Sequence, residues 1–208
     1  VDMVLASYLD ITDRKRAEKA LSHSSYMSNQ ALDLTRAGYW HIDYSDPDYY
    51  TSSERAANIF GEAHAEGWRY HLTDQWYTRI AEVDPKIAEA TGAHYAEAVE
   101  GKVPRYDCVY PYRRPCDGKT AWIRAIGTLE RDAQGKALFM YGVAQDVTEQ
   151  KLSELALARQ QAQLKHILDT SPVGVAFSTK GLIHMANPRF VELFGVGDGE
   201  PSPNLYVK

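Results

Sequence analysis

The sequence is poor in the features that mark several classes of protein. It holds two cysteines, Cys108 and Cys116, and two thiols make neither a disulfide framework nor a four-ligand zinc site. No apolar run approaches the roughly 20 residues of a membrane-spanning helix, so no membrane contact is expected within this segment. No basic block occurs: 23 Lys and Arg stand against 28 Asp and Glu, for a net charge of −5. That balance gives no electrostatic case for nucleic acid or anionic lipid. There is no glycine-rich phosphate loop, no HExxH and no CxxC. Ser52 and Ser53 lack a Gly-x-Ser-x-Gly setting. Asp43, Asp46 and Asp48 fall in a turn-forming SDPD stretch, where a solvated turn is a better reading than a catalytic carboxylate pair. No catalytic constellation emerges, and no metal site. The opening stretch VDMVLASYLDITDRKR lacks the basic start of a signal peptide, and Asp2 and Asp10 bracket its apolar run. Together with free thiols, this predicts a cytoplasmic protein.

What is present is ordinary in amount and repeated in arrangement. The 208 residues are 44% hydrophobic and 25% charged, enough apolar material for one large domain or two small ones. DITDRKRAEKAL at 10–21 returns as DVTEQKLSELAL at 146–157, an offset of 136 residues. Asp10, Thr12, Lys15, Glu18 and Leu21 match Asp146, Thr148, Lys151, Glu154 and Leu157. Gly38 and Gly174 share that offset, and NIFG at 58–61 matches ELFG at 192–195 with an offset of 134. Three matches near one spacing indicate an internal repeat. In each copy an apolar, β-branched strand runs into Asp-x-Thr, whose short oxygen-bearing side chains suit the first turn of a helix.

The repeat sets the expected boundaries. Residues 1–12 read as the last strand of an upstream unit, 13–30 as a helical linker, and 31–149 as a complete unit. Residues 150–168 read as a second linker helix, and 169–208 as the start of a further, truncated unit, as in a piece of a longer protein. In the second linker Leu157, Leu164, Ile167 and Leu168 form one apolar stripe at helical spacing. It either packs on its own domain or joins two chains in a short parallel coiled coil. Its place between domains favours the second.

Within 31–149 the pattern alternates between strand and helix. GYWHIDY (38–44) and YYTS (49–52) read as strands. Ser53 caps ERAANIF, which Gly61 ends, and Asp84-Pro85 opens a helix that Gly101 closes. Residues 62–82 read as irregular or short helices. RYDCVYPYRR (105–114), TAWIRAIGTLERD (120–132) and ALFMYGVAQDVT (137–148) read as a meander with turns at Asp117-Gly118 and Gln134-Gly135. This predicts an α+β fold with a five-stranded antiparallel sheet and helices on one face, flanked by linker helices.

These elements resemble the PAS family. The carrying residues are Gly38, Trp40 and Asp43; Ser53 through Gly61; Asp117-Gly118 with Trp122; Gly142; and Asp146-Val147-Thr148. The sequence departs from the family in the long, Trp- and Tyr-rich 62–82 segment and in one extra residue within YPYRRPCDG.

The resemblance implies a sensory module of a bacterial signalling protein. A downstream output domain in the same chain would be a sensor histidine kinase; the alternatives are a diguanylate cyclase or phosphodiesterase, or a ligand-free interaction and dimerisation domain. The segment itself is not expected to be an enzyme. The resemblance also orients the sheet. Tyr106, Cys108, Tyr110 and Tyr112 share one strand face, implied to point inward with Trp40, Ile42, Ile123, Ala125, Gly127, Met140, Gly142 and Ala144. The small members, Ala125, Gly127, Gly142 and Ala144, leave space for a small-molecule ligand unless Trp68, Trp76, Tyr77, Ile87 and Tyr95 fill it.

No cofactor is assigned. Haem would need His94, for which a surface or satisfied role is the preferred reading, and the reactive-cysteine motif of flavin photoreceptors, NCRFLQ, is absent. Trp122 and Ile126 fall on the opposite face, which with the stripe at 157–168 suggests a homodimer. Asp146 and Thr148, with their counterparts Asp10 and Thr12, are the implied junction between domain and linker.

Overall fold

The computed structural model describes residues 12–203. Asp10 and most of the strand expected over 1–12 lie outside them, and Thr12 is the first residue of a helix. The chain divides into two compact units at Thr148/Glu149.

The first unit begins with helix α1, Thr12–Leu34, which runs four residues past the expected linker. Strands β1 (Ala37–Asp43) and β2 (Tyr49–Ser52) follow, then α2 (Glu54–Phe60), a short 3₁₀ turn and β3 (Arg69–His71). A π-helical segment, Leu72–Tyr77, leads into α3 (Thr78–Ala81) and α4 (Pro85–Glu100). The meander is β4 (Tyr106–Arg113), β5 (Thr120–Arg131) and β6 (Ala137–Asp146). All pairings are antiparallel, in the order β3-β2-β1-β6-β5-β4. The five expected strands are therefore present, and β3 is a sixth. Three residues inside an irregular stretch give too short a period-two signal to be read; pairing of Tyr50 with Tyr70 and Tyr49 with His71 holds them at the sheet edge.

The helix ends follow their caps. The Ser53 side chain accepts from the Ala56 N–H, and Asp84 accepts from those of Lys86 and Ile87. Gly61 and Gly101 close α2 and α4 at φ of 70° and 80°, the left-handed region that glycine enters without a Cβ penalty. One face of the sheet carries the core, where Ala57 and Phe60 of α2, Ile80 of α3 and Ala88 and Ala98 of α4 pack on strand residues. A Cβ on Gly38 would stand 2.2 Å from the Ala56 backbone nitrogen, so glycine there lets α2 lie directly on β1.

The second unit holds α5 (Thr148–Thr170, whose first residue closes the first unit), the hairpin β7 (Ala176–Thr179) and β8 (Leu182–Ala186), and α6 (Pro188–Phe194). It repeats the opening of the first unit. Helix α6 is α2 displaced by 134 residues, with Asn187 capping it as Ser53 caps α2. A Cβ on Gly174 would meet Phe190 Cα at 3.0 Å, the same approach that Gly38 makes to Ala56. Asn187 is 2% exposed and fully engaged: Oδ1 accepts from Val175 and Phe190, and Nδ2 donates to the Leu168 and Val173 carbonyls.

Candidate functional site: the aromatic interior and the strand–helix junction

Register explains the interior. Trp40 pairs with Gly142, Gly142 with Gly127, and Gly127 with Tyr106. One cross-sheet row thus has an aromatic ring at each end and two glycines between. The indole of Trp40 lies over those glycines: a Cβ on Gly142 would meet Trp40 Cζ2 at 2.3 Å, and one on Gly127 would meet Cη2 at 2.8 Å. The space expected to admit a ligand at Gly127 and Gly142 is therefore a seat for Trp40. The ring reaches Tyr106 edge-on, with centroids 6.3 Å apart.

The other side of the interior is closed by the 62–82 segment. Pairing of β3 with β2 brings the chain back to the sheet. His71 then starts the π-helical turn, its Nδ1 accepting from the Asp74 N–H and its own N–H donating to Gln75 Oε1. The Thr78 N–H donates five residues back to the Thr73 carbonyl, and the widened turn places Trp76 inward. Its ring sits 6.0 Å from Tyr110, 6.4 Å from Tyr106 and 5.8 Å from Tyr95. Trp76 and Tyr95 therefore fill the interior as expected of them. Tyr77 packs against Gly92, and Trp68 stacks edge-on against His64 nearer the surface.

Between these walls remains a cavity of about 30 Å³, lined by Trp40, Ile42, Tyr50, Phe60, Leu72, Trp76, Tyr95, Tyr110 and Ala125. That is room for a water or little more; a haem or a flavin does not fit. Of the expected pocket residues, Trp40, Ile42, Tyr110 and Ala125 line it. Tyr106, Cys108, Tyr112, Ile123, Met140 and Gly142 share the inner face but lie outside the lining. Tyr50, Phe60 and Leu72 were not anticipated, although alternation in YYTS places Tyr50 with buried Ser52. His94 is also outside the lining, 5.9 Å from the Tyr106 ring and 3.7 Å from a Glu97 oxygen.

Burial holds the interior groups neutral. It raises the hydroxyls of Tyr50, Tyr106, Tyr110 and Tyr112 above the usual phenol range. It pushes the Cys108 thiol up to about 11, with the Tyr106 hydroxyl acting in the opposite direction. A thiol so raised is a poor nucleophile. Among the described residues no group of three or more His, Cys, Asp or Glu could hold a metal, and no helix is long and apolar enough to cross a membrane.

Tyr112 fastens the segment that carries Trp76. Its hydroxyl lies 2.6 Å from Glu62 Oε1 and 3.0 Å from the Gln75 carbonyl oxygen, tying β4 to both ends of the 62–77 stretch. Replacing it by Phe keeps the ring against Phe60, 4.9 Å away, and removes only the tether. Tyr112→Phe is expected to cost about 1–2 kcal/mol and to speed amide exchange at 72–77 while β5 and β6 keep their protection. Equal acceleration in both regions would show that the hydroxyl supports the whole unit rather than this segment.

The junction is built from β5, β6 and the start of α5. Asp146 Oδ1 accepts from the Thr148 N–H at 2.9 Å and from its hydroxyl at 2.5 Å. The same Thr148 oxygen accepts from the Trp122 N–H of β5 at 2.8 Å, and the Val147 N–H donates to the Trp122 carbonyl. Asp146 and Thr148 are thus brought together as expected, and β5 is a third member that Asp-x-Thr spacing alone could not reveal. Thr12 opens α1 as Thr148 opens α5.

Residues 162–205 match the PAS domain family. That match lies in the second unit; the first unit has the PAS fold. A sensory box histidine kinase/response regulator from Burkholderia thailandensis E264 superposes with a TM-score of 0.55 at 22% identity, over 66% of this chain and 97% of that one. An RNA-binding light-oxygen-voltage receptor does so with a TM-score of 0.50 at 19% identity, over 80% of this chain and 42% of that one. The N-terminal domain of a diguanylate cyclase with PAS/PAC sensor from Marinobacter aquaeolei follows at 0.46 and 21%, over 55% and 98%. At these identities the likeness is one of PAS architecture. No curated protein matches the chain in sequence.

Proposed function

We propose that the first unit is a sensory PAS module of a bacterial signalling protein, passing a change in its aromatic interior through the Asp146–Thr148 junction into helix α5 and on to an output domain. The observation that carries this reading is the double engagement of Thr148. The first residue of α5 is bonded to β5 through Trp122 and to β6 through Asp146. Trp40 rests on Gly142 of β6 and Gly127 of β5, so a shift of its ring loads the two strands that hold the helix start. Packed elements pass such shifts as discrete rearrangements. The fold shared with a histidine kinase's sensory box makes a histidine kinase the first output to test. In the full-length protein, Asp146→Ala is expected to uncouple output from signal. Output that still responds normally would remove the junction from the mechanism.

A ligand-free docking and dimerisation domain is the second reading, favoured by Trp76 occupying the interior. Both readings share a homodimer. Its support is apolar surface in two places: Tyr39, Val109 and Tyr141 stand exposed on the outer sheet face, with Trp122 and Ile126 half-buried among them. On α5, Leu157, Leu164 and Ile167 are each more than half exposed, and Leu168 less so. Native mass spectrometry of the chain is expected to give a dimer, and Leu164→Glu a monomer. A monomeric wild-type chain would end the dimer proposal.

A further inference from the structure

We infer that His71 is a proton-operated switch on the segment that carries Trp76, exchanging a backbone cap for an ion pair with Asp74 as pH falls. This rests on the sensory reading and names its stimulus, although the exchange itself needs no output domain. His71 ends β3 and is the N-cap of the π-helical turn Leu72–Tyr77. Its Nδ1 has two partners at nearly equal distance. It accepts from the Asp74 N–H at 3.2 Å, and Oδ2 of the Asp74 carboxylate lies 3.3 Å away. One nitrogen cannot serve both. Neutral imidazole with its proton on Nε2 offers a lone pair at Nδ1 and caps the turn, whereas imidazolium is a donor at both nitrogens. Protonation therefore releases the Asp74 N–H and pairs Nδ1 with the carboxylate. Imidazole is the side chain whose ordinary charge change falls between about pH 5 and 8.

The surroundings leave Asp74 as the carboxylate that meets the ring. From β2, Tyr49 approaches His71 edge-on, with centroids 5.1 Å apart. Arg69, on β3 itself, is engaged elsewhere: its guanidinium lies 4.0 Å from the centre of the Tyr49 ring and pairs with Asp46 of the β1–β2 turn. Asp48 of that turn meets the segment through its backbone carbonyl, which accepts from the Leu72 N–H at 2.7 Å. From the π-helical turn come Asp74 and the uncharged Gln75. The His71 side chain is 34% exposed, so protons reach it from solvent. What the cap holds is the interior, because Leu72 and Trp76 both line the cavity. Loss of an N-cap frees the first turn of a helix. In a segment of six residues the first turn is most of the helix, so its release reaches Trp76.

The test is an NMR titration of the full chain from about pH 8 to about pH 5, following the His71 ring protons, the Asp74 amide and the Trp76 indole N–H. All three are expected to move with one midpoint. His71→Asn keeps a capping oxygen and does not titrate, so the Asp74 and Trp76 resonances should then stay flat over this range. Asp74→Asn removes the carboxylate but not the N–H, and should lower the His71 midpoint by roughly 0.2–0.7 pH unit, the effect of an exposed ion pair. His94 of α4, 5.9 Å from the Tyr106 ring, is a second histidine beside the interior. A Trp76 shift that survives His71→Asn would belong to another group such as His94 and overturn the assignment. So would a midpoint unchanged in Asp74→Asn, or an Asp74 amide or Trp76 indole that does not follow His71. Its failure is separable from that of the sensory reading. Signal-coupled output that Asp146→Ala abolishes, with a Trp76 resonance that ignores pH, removes the switch alone.

Discussion

Gly142→Ala is expected to unfold the first unit at a much lower temperature, although the substitution adds a single methyl group. A Cβ at this position would lie 2.3 Å from Trp40 Cζ2 and 2.4 Å from the Ile126 carbonyl oxygen. The first neighbour is a rigid ring and the second is backbone in the middle of the sheet, so neither can step aside cheaply. Two effects oppose each other. Replacing glycine by alanine removes unfolded-state entropy and favours folding by about 0.4–1 kcal/mol where the backbone permits it. Overpacking a dense interior costs about 1–3 kcal/mol, occasionally more, and the double overlap puts this site at the upper end. The net is a loss of about 2–3 kcal/mol, or roughly 5–12 °C in Tm for a unit of this size. Thermal melts followed by circular dichroism measure it. Gly127→Ala is the internal control: its Cβ would meet Trp40 at 2.8 Å but otherwise the flexible Met140 side chain at 3.1 and 3.2 Å, so its loss should be smaller. A Gly142→Ala protein melting within about 3 °C of wild type would mean that the indole does not rest on this strand.

The same two glycines show what could and could not be read from residue order. Ser53, Gly61, Asp84 and Gly101 were legible because a cap is local: it needs one oxygen or one positive φ at a fixed place. The repeat was legible for a similar reason, and the match of α2 to α6 through Ser53 and Asn187 shows that it preserves packing as well as spelling. Period two grouped Tyr106, Tyr110 and Tyr112 on one strand face, and the resemblance turned that face inward with Ile123 and Met140; all five are buried. What alternation cannot say is which side chain occupies the room that a small residue leaves. Gly127 and Gly142 looked like space for a ligand; register across three strands gives that space to Trp40. Tyr50, Phe60 and Leu72 reach the cavity through β2, α2 and the π-helical turn, each set by tertiary pairing rather than by neighbours in the chain. β3 and the inward turn of Trp76 exist only because β2 is there to pair with.

Thr148→Val tests the junction with the least change of shape. Valine replaces the hydroxyl by a methyl group of similar volume, leaving the backbone free to continue as helix. The Trp122 N–H then loses its Thr148 acceptor, and Asp146 loses one of its two Thr148 donors while keeping the backbone one. Removing one partner of a buried bond costs about 1–3 kcal/mol, more than a net hydrogen bond is worth, because the group left behind was desolvated for it. Trp122 is half-buried, so about 1–2 kcal/mol is expected here. Asp146→Ala would remove more contacts but also a helix-capping carboxylate, itself worth about 1 kcal/mol, and so mixes two effects. Thr148→Ser separates them: it keeps the oxygen and should melt close to wild type, whereas Thr148→Val should melt lower and speed exchange of the Trp122 amide. In the full-length protein the serine variant should signal and the valine variant should not. If serine melts lower and valine close to wild type, the methyl group of Thr148 and not its oxygen holds the helix start. The strands would then hold α5 through packing and the backbone bonds of Val147 and Thr148, and the Thr148 oxygen would drop out of the route from Trp40.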